Sequence, residues 1–202
     1  MRHALLSPLV ATFVALASVV GLAGPATAAG GGTDARVGLA LGPSSIDADC
    51  SSVIVSRCDT DDTGFKFFAS FDLPRVSLGN LAFEVAYIDF GKAVVSVPFA
   101  ERTVEASAVA FDLALRGNLV PSLTAVGRLG MAYVSAKGNG TGGVTLYGSS
   151  SDAGLAPHLG LGLELALNRQ FKVIGGFDFT NYDTGKESGS AHLFSVGVQM
   201  GF

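Results

Sequence analysis

The feature that most constrains the fold is an alternation of large apolar residues with small or charged ones, repeated along the chain. Within each repeat every second residue is large and apolar, which is the period of a β-strand with one apolar face. The pattern continues to the last residue, Phe202. It predicts an all-β protein of eight strands, at residues 36–42, 64–73, 81–90, 104–117, 122–136, 154–167, 170–182 and 190–202.

The N-terminal segment 1–28 has the pattern of a cleaved secretory signal peptide. A short, weakly positive start precedes an apolar run at 5–22, and a small-residue cleavage site follows at 26–28. The alternative is a signal anchor that stays in the membrane, but a Gly-Pro break before the site favours cleavage. We therefore expect an exported domain at 29–202.

Composition and sidedness separate two kinds of exported β-protein. After the signal segment no apolar run approaches the ~18 residues that a membrane helix requires. Only 15% of the chain is charged, against ~25% in an ordinary soluble domain. The face opposite the large apolar residues is rich in Ala and Gly, and it carries Lys66, Glu84, Asp112, Arg116, Arg128, Glu164, Lys172 and Asp178.

This second face has too many small residues for an ordinary solvated surface, yet it suits the narrow lumen of an eight-stranded barrel. We therefore expect the large apolar face to meet lipid and the small and charged face to fill the lumen. The alternative is a soluble β-sandwich with an apolar core. The turns near 74–80, 118–121 and 168–169 are short, as at the periplasmic end of a barrel. Four longer polar connections are predicted as extracellular loops, at 43–63, 91–103, 137–153 and 183–189.

Several segments in this order resemble the OmpA-like β-barrel family of outer-membrane proteins. They are "DTGFKFFASFDLP", "LAFEVAYIDFG", "AVGRLGMAYVSAKG", "HLGLGLELALN" and the terminal "VGVQMGF". The resemblance implies an eight-stranded antiparallel up-and-down transmembrane β-barrel in the cell outer membrane. It also implies a charged cluster inside the barrel, at Glu84 and Arg128 with Glu164. Phe202, with Val198 and Met200, is similar to the signal that the family's barrel-assembly machinery recognises.

Ion pairs inside the lumen are predicted from two short turns, because a lone buried charge is costly. One turn is taken to centre on Asn168 and the other on Val120. A register slip of two residues would break each pair. The expected partners are Glu164 with Lys172, His158 with Asp178, and Asp112 with Arg128.

Cys50 and Cys58 lie in the first predicted loop, and export exposes them to oxidising conditions. We expect a disulfide between them, since neither a thiol nucleophile nor a metal site has a His nearby. The acidic residues of this loop match no complete calcium-binding loop. We expect no metal and no cofactor.

The expected function is a structural or surface-interaction role, with a host or surface ligand bound through the loops. A small-solute channel is the first alternative, although eight strands leave little room inside. A lipid A-modifying enzyme is the second, but His192 and Ser195 are three apart and should lie on opposite faces. We therefore expect no catalytic residues. The expected partners are outer-membrane lipid, lipopolysaccharide and the barrel-assembly machinery. The net charge of -4 gives no reason to expect nucleic acid as a partner. We expect the protein to be a monomer.

Overall fold

A computed structural model of the chain describes residues 35–47, 57–74, 77, 79–97, 100–142, 150–183 and 188–202. These residues belong to one compact unit, 33–202. None of them forms a helix with the length and apolarity needed to cross a membrane. The strands are β1 (Ala35–Ile46), β2 (Arg57–Asp59), β3 (Asp61–Asp72), β4 (Asn80–Val97), β5 (Ala100–Val120), β6 (Leu123–Gly142), β7 (Ser150–Ala166), β8 (Phe171–Asp183) and β9 (Ser188–Gly201).

The eight long strands close into an antiparallel up-and-down barrel, as the sequence predicts. Around the ring the order is β4-β3-β1-β9-β8-β7-β6-β5, and pairing of β5 with β4 closes it. The short strand β2 was not predicted. β2 and β3 both pair with β4 and are separated by a break at Thr60. Asp59 of β2 lies opposite Val94, and Phe65 of β3 lies opposite Asp89. Ring closure leaves every long strand hydrogen-bonded on both sides, which a membrane-spanning sheet requires.

The predicted sidedness of the strands is confirmed. Leu161 and Val198 are 67% and 58% exposed, whereas Arg128 and Glu164 are only 7% and 1% exposed. Large apolar side chains therefore cover the outer wall, and small or ionic ones fill the part of the lumen nearer the short turns. A soluble sandwich would show the opposite distribution.

Both predicted hairpin registers are wrong by two residues. Asp112 lies opposite Gly130, and Glu164 lies opposite Ile174. In the β7–β8 turn the Asn168 side chain accepts hydrogen bonds from the amides of Gln170 and Phe171. Asn168 therefore opens an Asx-type turn and is not its centre. In the β5–β6 hairpin an irregularity between Asn118 and Val120 moves the centre toward residues 121–122.

One predicted loop, 91–103, is mostly strand. β4 runs on to Val97 and β5 begins at Ala100, so the two strands form a tall hairpin. The sequence prediction ended this strand at Phe90, but β4 continues through a β-bulge at Gly91, which has a φ of 71°. Of the other predicted loops, residues 48–56, 143–149 and 184–187 lie outside the described residues, as do Cys50 and the side chain of Cys58.

Candidate functional site

The lower part of the lumen, toward the short turns, contains a network of buried ionic side chains. They come from alternate positions of six strands, β3 to β8, because every second residue of a barrel strand faces inward. The members that are nearly inaccessible to solvent are Lys66, Glu84, Asp112, Arg116, Arg128, His158, Glu164 and Asp178.

Glu84 is the centre of this network. Its Oε1 accepts a hydrogen bond of 2.8 Å from Arg128 Nε and lies 3.3 Å from Lys66 Nζ. Its Oε2 lies 3.5 Å from Arg116 Nη2. Three cations therefore surround one fully buried carboxylate. Such contacts offset the several kcal/mol that each buried ion costs in lost hydration.

Glu164 is the second anionic centre of the network. Its Oε1 accepts from Arg116 Nε at 3.0 Å and its Oε2 from Lys172 Nζ at 2.7 Å. Lys172 lies opposite Ala166 in the sheet, not opposite Glu164. The register slip does not break this contact, because the long lysine side chain reaches its diagonal neighbour.

His158 lies between two carboxylates. Its Nδ1 is 2.8 Å and 3.0 Å from the two oxygens of Asp112, and its Nε2 is 3.6 Å from Asp178 Oδ1. Asp178 Oδ1 also accepts from Lys66 Nζ at 2.7 Å. The structure therefore brings together His158 and Asp178 as well as Glu164 and Lys172.

The expected ion pair between Asp112 and Arg128 is wrong, because each of the two side chains has another partner in the structure. Arg128 lies opposite Ala114, and its guanidinium turns to Glu84 on β4. Asp112 is then bound by His158 from β7. The shift of two residues keeps each side chain in the lumen but changes which neighbour it meets. The turn geometry of β5–β6, which the sequence pattern did not specify, decides the partners.

Above the ionic network the lumen is filled by large apolar side chains. They lie on the inward face of the strands toward the extracellular end. In the sequence segments "YIDF" and "HLF" the alternation of large and small residues is lost, because large residues occupy both faces of the strand there. This apolar layer was not predicted. Its largest fully buried members are Ile46, Ile88, Phe90, Val134 and Leu193.

Phe68 joins the apolar layer to the ionic network. Its ring lies 5.5 Å from Lys66 Nζ and 5.8 Å from Arg128 Cζ, which is cation–π range. A void beside Phe68, lined also by Glu164 and Asp178, measures about 10 Å³. That is room for about one water molecule. At this level the lumen is packed with side chains.

The outer wall changes character near the extracellular end. On β4, β5 and β6 one row holds Tyr87, Val109 and Tyr133, which are direct neighbours in register. Below this row the outward residues are apolar, such as Phe111 and Met131, both about half exposed. An aromatic girdle at the end of an apolar band is typical of a barrel that spans an outer membrane.

His192 and Ser195, considered above as a hydrolytic pair, lie on opposite faces of β9. Ser195 is buried on the inward face, and His192 faces outward, where it contacts Phe177 and Phe194. Across the part of the chain that the structure describes, no three His, Cys, Asp or Glu residues converge in a way that could hold a metal ion.

The sequence of this chain matches one protein family over almost its whole length. Residues 14–202 match the model of the outer membrane protein beta-barrel domain. The chain belongs to this family. A member of the outer membrane protein beta-barrel family with this fold is a protein of the cell outer membrane, and the aromatic girdle and apolar wall are the surfaces that contact its lipid. No curated protein sequence matches the chain significantly.

Solved barrels with the same fold are distant in sequence. Ail, the attachment invasion locus protein of Yersinia pestis, is 13% identical with a TM-score of 0.55, over 84% of this chain and 99% of Ail. Neisserial surface protein A is 11% identical with a TM-score of 0.53, over 84% and 97%. The N-terminal barrel of Pseudomonas aeruginosa OprF is 13% identical with a TM-score of 0.51, over 86% and 100%. At these identities the likeness concerns the fold.

Proposed function

We propose that this barrel is a closed anchor that presents extracellular structure for binding a surface or host ligand. The observation that carries the proposal is the packed lumen, in which an ionic network lies under an apolar layer. A plugged barrel offers a soluble ligand no route through its centre. A ligand would then bind to the strand ends and loops that extend beyond the aromatic girdle on the extracellular side.

The tall hairpin of β4 and β5 supports this role. Residues 92–97 of β4 pair with 100–105 of β5 above the polar end of the wall, and β2 adds a third strand beside β4. Ail, a barrel of the same fold, has been crystallised in complex with the heparin analogue sucrose octasulfate. We propose an extracellular ligand for this chain as well, and an anionic glycan is the first candidate to test.

The test is adhesion of cells that display the chain. A non-adherent Gram-negative host expressing the protein is compared with one in which residues 94–103 are replaced by Asn-Gly, a two-residue hairpin turn. We expect the full chain to increase attachment to epithelial cells or immobilised heparin, and the shortened hairpin to return attachment to the host background. Equal attachment by both forms, with equal folded protein in the membrane, would refute the role of this hairpin.

A small-solute channel is the competing function, and the apolar layer is the observation against it. In planar bilayers we expect no steady conductance from the wild-type protein. Replacing Phe90 and Leu193 by Ala removes two large members of that layer, and we expect brief conducting events to appear. Steady conductance of the wild type that is unchanged by these substitutions would favour the channel.

We further propose that the chain is not an enzyme. The opposite orientations of His192 and Ser195 support this, because a Ser–His nucleophile pair requires hydrogen-bond contact. We expect a His192→Ala variant to leave the mass spectrum of host lipid A identical to that of the wild-type strain. A change in acylation on expression of the wild type that disappears in the variant would contradict this proposal.

We also propose that residues 1–28 are removed on export and that Phe202, with Val198 and Met200, is recognised by the assembly machinery. In support, the amide of Phe202 donates to the carbonyl of Ala35, so Phe202 extends the pairing of β9 with β1. Phe202 and Val198 also face outward. Deleting Phe202 should lower the amount of heat-modifiable barrel in the membrane, and N-terminal sequencing should begin near residue 29.

A further inference from the structure

In the described part of the lumen, the fully buried section of the ionic network has one more carboxylate than it has Lys and Arg side chains. The carboxylates are Glu84, Asp112, Glu164 and Asp178, and the Lys and Arg side chains are Lys66, Arg116 and Arg128. Lys172 also belongs to the network, but its side chain is partly exposed. The remaining buried group that can carry a positive charge is the ring of His158.

Asp112 is the carboxylate that the Lys and Arg side chains leave unpaired. Glu84, Glu164 and Asp178 each accept a hydrogen bond from a Lys or Arg nitrogen. Among the described residues, the partner of Asp112 in this network is His158. A carboxylate buried this completely is costly unless a counter-charge contacts it. The charge on His158 therefore decides whether Asp112 is compensated.

A glycine on the intervening strand allows Asp112 and His158 to meet. Asp112 lies on β5 and His158 on β7, and both lie opposite Gly130 of β6. A Cβ on Gly130 would collide with Asp112 Oδ1 and with the carbonyl oxygen of Phe111. The contact between the two side chains therefore passes over a position that has no side chain.

Both ring nitrogens of His158 face carboxylates. Nδ1 lies 2.8 Å and 3.0 Å from the two oxygens of Asp112, and Nε2 lies 3.6 Å from Asp178 Oδ1. A neutral imidazole has a single N–H, so its other nitrogen would turn a lone pair toward one of these carboxylates. An imidazolium has a proton on both nitrogens. The geometry fits the charged ring, which also gives the buried section four cations for its four carboxylates.

The charged groups that face this ring from the other strands are negative on balance. Asp112 of β5 and Asp178 of β8 are the groups nearest to it. Lys66 of β3 contacts Asp178, and Arg128 of β6 lines the same void as Asp178. Glu84 of β4 is paired with both of these cations. Three carboxylates and two cations therefore act on the ring, and their net charge favours a proton on it.

We propose that His158 is a buried imidazolium whose proton stabilises the folded barrel, so that the barrel becomes less stable as the pH rises above neutral. In an unfolded chain a histidine titrates near pH ~6.5 and is mostly neutral above it. The folded barrel then holds one more proton than the unfolded chain, and stability falls with rising pH wherever this is so. Loss of the proton leaves Asp112 buried without a counter-charge. This response does not depend on the extracellular ligand proposed above.

Two measurements on the full-length protein in detergent test the proposal. The first is the ¹⁵N NMR spectrum of the histidine rings at neutral pH, because an imidazolium and a neutral imidazole differ in their nitrogen shifts. A His192→Asn variant removes the signal of the other histidine outside the segment 1–28, so it identifies the His158 signal by elimination.

The second measurement is urea unfolding across neutral and mildly alkaline pH, followed by the gel shift between folded and unfolded barrel. It compares the wild type with His158→Asn, in which the amide can still donate to Asp112 but does not titrate. The matched control is His192→Asn, which removes a histidine that faces outward on β9.

We expect the His158 ring of the folded wild type to have the nitrogen shifts of an imidazolium. We expect the unfolding equilibrium constant of the wild type and of His192→Asn to rise by up to ~tenfold per pH unit above neutral, the limit for one proton, and that of His158→Asn to stay level. A neutral-ring spectrum of the wild type would overturn the proposal even if His158→Asn does not fold. A wild-type stability that is independent of pH, or an equal slope in His158→Asn, would overturn it as well.

Discussion

The substitution Glu84→Gln tests the lumen network at its centre. The change removes one negative charge and keeps the shape of the side chain. Lys66 retains Asp178 at 2.7 Å and Arg116 retains Glu164 at 3.0 Å. Arg128 has Glu84 as its hydrogen-bonded carboxylate in the described part of the lumen. The amide oxygen of a glutamine can still accept from Arg128, but it carries no charge, so the buried guanidinium loses its ionic partner.

The expected size of the effect follows from that loss. At an effective dielectric constant of ~20, two opposite charges about 3 Å apart attract each other by ~5 kcal/mol. Part of this loss is offset, because a neutral glutamine has a smaller desolvation cost on burial than the Glu84 carboxylate. Removing one partner of a buried ion pair costs ~3–5 kcal/mol in measured cases. We therefore expect Glu84→Gln to lower the free energy of unfolding by ~3–5 kcal/mol.

The assay is urea unfolding in detergent micelles, followed by the gel shift between folded and unfolded barrel. The chain has no Trp, so intrinsic tryptophan fluorescence cannot report unfolding. The control is the double variant Glu84→Gln with Arg128→Gln, in which the unpaired cation is also removed. We expect the double variant to be more stable than the sum of the two single effects predicts. A single variant within ~0.5 kcal/mol of the wild type, or additive effects, would refute the buried-network reasoning.

Three further predictions concern local geometry. A Cβ on Gly197 would collide with a backbone oxygen of β1, whereas a Cβ on Gly117 would meet nothing within 4 Å. Gly197→Ala should therefore lower the yield of folded barrel in a refolding gel, and Gly117→Ala should leave that yield unchanged. Gly91→Val should destabilise the barrel by ~1–3 kcal/mol in the urea assay, because a β-branched residue at a φ of 71° is strained; an unchanged midpoint would show that the bulge adapts. Non-reducing mass analysis of the purified protein should find Cys50 linked to Cys58. If alkylation without prior reduction adds an alkyl group to each of the two cysteines, the link is absent and the prediction is wrong.

Sidedness could be predicted from the sequence because it depends only on the two-residue period of a strand. A register shift of two residues leaves every side chain on its face, so Glu84 and Arg128 are in the lumen whatever the turns do. The partners could not be predicted, because they depend on turn geometry. Asn168 caps its turn through its side chain, and that moves the hairpin centre by one residue and the pairing by two.

The apolar layer was missed for a different reason. The sequence argument assigned one face to lipid and the other to small and charged residues, but near the extracellular end large residues occupy both faces. Phe90 and Leu193 are on the same faces as Glu84 and Ser195, and both are fully buried. A local loss of the large–small alternation is therefore the sequence signal for a sealed lumen.

The bulge at Gly91 connects the sealed lumen to the outer wall. Immediately before it Phe90 faces inward, and its carbonyl accepts a hydrogen bond of 2.8 Å from Ser44 Oγ, which fixes the backbone. Immediately after it Lys92 faces outward beside Asp89. Without the extra residue, Lys92 would point into the apolar layer, where an unpaired ammonium is costly. One irregularity of β4 thus keeps the layer apolar and places Lys92 on the outer wall, on the same side as Asp89.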